Sequence, residues 1–130
     1  MRLSLPPSVN HANITLKNGR RVKSEEYRNW GAKATMMFKL HLTPVPKSSL
    51  PVKIVIVVEG KVNKGRDLSN MVKIVEDSLV NAGILPDDNV KYVSGSAIEY
   101  VPGEQEGTVR IEIHDGRTVW RRSGTEGGDP

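Results

Sequence analysis

The sequence predicts an α+β domain, a mixed β-sheet packed with two helices in two layers, and three observations carry that expectation. Residues 27–38 and 68–82 bring apolar side chains back every three or four positions, the spacing of one helical face. Val52-Lys53-Ile54-Val55-Ile56-Val57-Val58-Glu59 is a nearly continuous β-branched run, the pattern of a central strand covered on both faces. Residues 90–100 and 108–114 alternate apolar and polar positions in the manner of two paired strands.

Each element has its own local reason. Residues 2–5 read as a short strand running into Pro6-Pro7-Ser8-Val9-Asn10, since proline fixes φ and donates nothing to a ladder. Residues 12–23 surround Asn18-Gly19, a dipeptide suited to positive φ, and form a small basic hairpin. Ser24 stands at a helix N-cap with Glu25 and Glu26 in the first turn, where the helix dipole favours negative charge. That first helix runs to about His41 and turns Tyr27, Trp30, Ala34, Met37 and Phe38 toward the core. Three prolines between residues 43 and 51 exclude helix there and make a surface connection.

After the central strand, residues 60–66 form a polar, basic loop that ends where Asp67 caps a second helix over about residues 68–82. Leu68, Met71, Val72, Val75, Leu79 and Ala82 share its inner face, and Gly83 terminates it in the left-handed conformation. Pro102-Gly103-Glu104-Gln105-Glu106-Gly107 joins the last two strands as a hairpin against the central one. Residues 1–120 thus form one domain, and residues 121–130, polar and Gly-rich, form a flexible tail.

Composition narrows the function classes. A length of 130 residues suits one core, and no apolar run approaches the roughly 20 residues of a membrane span. Pro6 and Pro7 break the opening before a signal-peptide core develops, so a cytoplasmic location without membrane association is expected. With no cysteine, disulfides and thiolate metal sites are excluded. Nineteen Lys and Arg against fifteen Asp and Glu give a charge of +4, which permits nucleic-acid binding without requiring it. The cations gather at residues 17–23, 61–66 and 117–122, three clusters able to border one phosphate-binding surface.

The informative chemistry lies in Lys64-Gly65-Arg66-Asp67-Leu68-Ser69-Asn70-Met71-Val72-Lys73 and in Leu85-Pro86-Asp87-Asp88-Asn89-Val90. Carboxylate oxygens are natural magnesium ligands, and phosphodiester cleavage needs a cation to offset charge on the transferring phosphoryl group. Asp67 and Asp88 could supply those oxygens, while Arg66 and Lys73 could hold a phosphate or stabilise the departing oxygen. The plainer readings are that Asp67 is only a helix cap and that Pro-Asp-Asp-Asn is only a turn. His11, His41 and His114 lie too far apart to suggest zinc, and no P-loop, dinucleotide or Gly-x-Ser-x-Gly motif is present.

Three motifs in this order, Pro6-Pro7-Ser8-Val9-Asn10, Arg66-Asp67-Leu68-Ser69-Asn70-Met71-Val72-Lys73 and Leu85-Pro86-Asp87-Asp88-Asn89-Val90, resemble the RusA family of Holliday junction resolvases over roughly residues 3–113. The resemblance implies a RusA-like fold, a homodimer and cleavage of four-way DNA junctions in recombination and repair, often in a prophage setting. It makes Asp67 and Asp88 metal-binding catalytic carboxylates, Asp87 a neighbouring acidic candidate and Lys73 a residue for cleavage. One departure stands out: the second aspartate of the family's helix-start pattern falls on Ser69, a poorer magnesium ligand. Glu76 and Asp77, further along the helix, are possible compensators.

Chain reach adds a constraint. Some fifteen helical residues hold Gly83 roughly 20 Å from Asp67, while five extended residues span at most about 17 Å. Asp88 therefore approaches Asp67 only if the loop doubles straight back, or if the partner is another subunit's Asp88. The expected protein is a magnesium-dependent endonuclease on branched DNA, with Mn2+ as a possible substitute. Lys61, Lys64, Arg66, Arg20 and Arg21 are its expected DNA contacts. The alternatives are a junction-binding protein whose catalysis weakened with Ser69, a nuclease for flaps or other branches, and a domain with no nucleic-acid role. Few aromatic rings argue against a dedicated single-strand binder, and Tyr27 and Trp30 belong to the core.

Overall fold

The computed structural model describes residues 1–7, 13–19, 21–63, 65–66 and 68–117. The expected tail at residues 121–130 lies outside them, as do Ser8, Val9, Asn10, Arg20, Lys64 and Asp67. The elements in order are β1 (Leu3–Ser4), β2 (Asn13–Thr15), β3 (Arg21–Lys23), α1 (Glu25–His41), a 3-10 turn (Lys47–Ser49), β4 (Val52–Lys61), α2 (Asn70–Asn81), β5 (Val93–Glu106) and β6 (Thr108–Asp115). They give the expected α+β class, with a four-stranded mixed sheet ordered β1-β6-β4-β5 and a separate β2-β3 hairpin.

Local signals in the sequence hold closely at the turns and caps. The hairpin closes on Gly19 at φ +84, whose amide donates to the Leu16 carbonyl at 2.9 Å. Ser24 caps α1 by accepting from the Tyr27 amide at 3.1 Å. Trp30, Ala34 and Phe38 are buried, with Tyr27 and Met37 packed at the margin of the core. The Trp30 indole also donates to the Ser4 carbonyl at 2.9 Å, tying α1 to β1. Gly83 ends α2 at φ +76, and the Ile84 amide reaches back to the Leu79 carbonyl at 3.0 Å.

Helix α2 differs from expectation at its start. Regular helix begins at Asn70, with Ser69 in the cap position at φ −60 and ψ −27. Two residues absent from the expected inner face, Ile74 and Ser78, are buried, while Leu68 and Val72 sit only partly so. Ser78 is accommodated because its hydroxyl donates to the Ile74 carbonyl at 2.8 Å one turn back.

The sheet holds two corrections. The last two strands do not form a hairpin with each other: β5 pairs parallel with one edge of β4, and β6 pairs antiparallel with the other. The β-branched run of β4 offers two free hydrogen-bonding edges, and both are taken. To change sides the chain passes the end of β4, where pairing slips from Gly60↔Pro102 to Lys61↔Glu106. Gly60, at φ +95, and Gly107 make the crossing possible, because a Cβ there would lie 2.7 Å from the Gln105 carbonyl oxygen and 2.4 Å from that of Lys61.

Nor is β4 covered alike on both faces. Val52, Ile54, Ile56 and Val58 join the two helices in the core. The other face carries Lys53, Val55, Val57 and Glu59, and there Glu59 takes the guanidinium of Arg110 from β6 at 3.3 Å. Interior position in the sheet, together with this layer of long side chains, accounts for the apolar run where cover on both faces was expected.

Candidate active site

The segment after α2 doubles back along the helix, so one chain brings Asp88 to Lys73. The Lys73 ammonium donates to Asp88 Oδ2 at 2.9 Å and to Asp77 Oδ1 at 3.2 Å. Each partner strengthens the other: Asp88, then Asp77, holds the lysine pKa far up, and the ammonium holds the Asp88 carboxyl below the usual carboxylate range. Both groups are therefore charged across the neutral range.

The return loop owes its shape to its own polar side chains. Asp87 Oδ1 accepts from the Asp88 amide at 2.7 Å, and Asn89 Oδ1 accepts from the Lys91 amide at 3.0 Å. The Asn89 carbonyl takes the amides of Tyr92 and Val93, each at 2.9 Å, and starts β5. The two acidic residues thus divide their work, since Asp87 builds the turn and Asp88 faces the helix. Val90, expected to open the strand, is 85% exposed beside them.

Lys73, Asp77, Val80, Asn81, Asp87 and Asp88 line a cleft of about 440 Å³. Asp77 and Asn81 also border a groove of about 560 Å³ between α1 and α2, which Tyr27 and Ile74 help to line. Burial, and after it the charge of Asp77, raises the Tyr27 phenol pKa, so this ring is a site neighbour as well as part of the core margin. Asp77 stands on the cleft side, whereas Glu76 accepts from the Ser96 hydroxyl of β5 at 2.8 Å. Sequence alone left these two side by side, although the four-residue spacing from Lys73 to Asp77 was the available signal.

Other expected site residues fall in three groups. Asp67, Lys64 and Arg20 lie outside the described residues, and of Arg21 only the backbone, in β3, is described. Ser69 is exposed in the turn leading into α2, and Lys61 is exposed at the end of β4. Arg66 donates to the Pro6 carbonyl, which links the Pro6-Pro7 motif to the loop before α2. Partial burial there lowers the guanidinium pKa, and the buried Pro6 ring fixes the contact.

A family-model scan matches residues 5–114 to the family described as Endodeoxyribonuclease RusA. The chain belongs to the RusA family. No curated protein matches it. The match runs from Leu5, just before the Pro6-Pro7 motif, to His114 near the end of β6, and so takes in both helices, β4, β5 and all of β6 but Asp115, leaving β1 outside. RusA membership supports nuclease activity. Among the described residues no group of three or more His, Asp and Glu is gathered to hold a metal, and no helix is long and apolar enough to cross a membrane. The donors present nevertheless suit a hard divalent ion in kind, because Asp77 and Asp88 are oxygen ligands already sharing one positive charge.

Proposed function

We propose that this RusA-family chain is a magnesium-dependent, structure-selective endodeoxyribonuclease that cuts four-way DNA junctions and acts as a homodimer in recombination and repair. The contact between Lys73 and Asp88 carries the reading. It joins two of the motifs that define the resemblance, in a cleft open to solvent, with a cation and a carboxylate both charged at neutral pH.

In this reading Asp67 and Asp88 hold the ion, with Asp87 and Ser69 beside them and Mn2+ able to replace Mg2+. A bound divalent ion supplies Lewis acidity and a water of lowered pKa. Lys73 meets the phosphate and offsets charge that builds on it during cleavage. Arg66 ties the Pro6-Pro7 segment to the chain just before α2. Lys61, Lys64, Arg66, Arg20 and Arg21 contact DNA phosphates, giving affinity without base readout. A two-fold dimer suits a junction of approximate two-fold symmetry that needs two incisions. Comparing four-way, three-way and flap substrates tests the specificity: equal rates on all three would replace junction resolution with general branch cleavage.

Ser69 favours a second reading, a junction-binding protein with weakened catalysis. Under it, Ser69→Asp restores or raises nicking and tightens Mg2+ binding. A Ser69→Asp variant without gain in either quantity removes that reading.

A further inference from the structure

Lys73 has two carboxylate partners, and the proposed chemistry uses only one of them. Asp77 accepts from the same ammonium at 3.2 Å, one helical turn beyond Lys73. As a stabiliser of α2 this pair is poorly arranged, since the acid follows the base by four residues and the lysine side chain is 67% exposed. Its position makes better sense as a hold on the ammonium.

The two carboxylates differ in what supports them. Asp77 projects from a helix anchored by its buried neighbours Ile74, Val75, Ser78 and Leu79. Asp88 projects from a loop whose turn rests on Asp87 and Asn89. If the Asp88 carboxylate serves a divalent ion, as proposed above, part of its charge is taken up and its pull on Lys73 falls. A lysine is a point charge on a flexible four-carbon stem, and without a second acceptor it turns out to solvent.

We propose that Asp77 is a positioning residue: it keeps the Lys73 ammonium in the cleft while Asp88 engages metal, so that the lysine faces the phosphate. This rests on the metal reading of Asp88, and the experiment separates the two. The 1H–15N signal of a lysine ammonium is seen when acceptors hold it and is lost to solvent exchange when they do not, while the carboxyl 13C shift of Asp88 reports metal at that residue. In the full chain, Mg2+ moves the Asp88 shift and leaves the Lys73 signal in place. In Asp77→Ala, Lys73 is still observed without metal and its signal disappears as Mg2+ is added; Asp77→Glu restores it.

In junction nicking, Asp77→Ala lowers kcat about ten-fold with KM unchanged and causes no further loss in a Lys73→Met background. A Lys73 signal that survives Mg2+ in Asp77→Ala, or an equal kcat loss in the Lys73→Met background, overturns the proposal. An Asp88 shift that Mg2+ leaves unmoved in the full chain overturns the metal reading instead, and the role of Asp77 goes with it.

Discussion

Lys73 and Asp88 stand fifteen residues apart in the chain and 2.9 Å apart in space, joined because the loop after α2 folds back along the helix that it leaves. An exposed ion pair of this kind adds little to stability, so its removal separates function from folding. Lys73→Met is expected to lower kcat for junction nicking by about 10²- to 10³-fold, the usual effect of losing one transition-state charge partner. Junction affinity should change by a few-fold at most and the melting temperature by no more than a few degrees. A parallel loss of affinity and turnover would assign Lys73 to ground-state binding instead.

DNA affinity led by phosphate contacts predicts a linear fall of log K with log salt. Lys61, exposed where β4 ends, should account for about one unit of that slope, so Lys61→Ala flattens it by roughly that amount on every junction sequence. An unchanged slope removes Lys61 from the DNA surface.

Two glycines carry stability predictions of opposite sign, Gly60 at the crossing past the end of β4 and Gly31 in α1. Gly60 lies at φ +95 with no room for a side chain, so Gly60→Ala should destabilise the fold by about 1–3 kcal/mol or more. Gly31 lies inside α1, where an added methyl group would have nothing within 4 Å, so Gly31→Ala should stabilise by about 0.5–1 kcal/mol. Urea unfolding of both variants checks the pair; a neutral Gly60→Ala would contradict the described crossing.

On the outer face of the sheet, His114 first and Arg110 second lower the Glu112 carboxyl below its ordinary 4.5. A carboxyl depressed on folding contributes stability that is present above 4.5 and is lost as pH falls through the lower folded value. Wild type should therefore lose more stability than Glu112→Gln between pH 7 and pH 3, by urea midpoint. Equal losses would show that these contacts do not persist in solution.

The sequence was most readable where the chain decides locally. Ser24 with Glu25 and Glu26 marks one helix start, Gly83 marks one helix end, and Asn18-Gly19 marks the hairpin, each through the backbone geometry of a few residues. It was least readable where partners are distant. The alternation in β5 and β6 says that each strand has an inner and an outer face, but not which edge of β4 each will take. The Pro-Asp-Asn pattern in the return loop likewise announces a turn, while the contact of Asp88 with Lys73 depends on where that turn lies against α2. Chain reach left Asp88 to approach Asp67 through a loop that doubles back or from a second subunit; the loop doubles back as far as Lys73, while Asp67 lies outside the described residues.

Incision of a synthetic four-way junction in Mg2+, by the full chain and by Asp67→Asn and Asp88→Asn, tests the central claim most directly. The expected result is paired, chelator-sensitive nicks by the full chain and a loss of at least about 100-fold in each variant, with junction binding retained. Nicking that continues undiminished without either carboxylate would contradict a metal-assisted site built on these two residues.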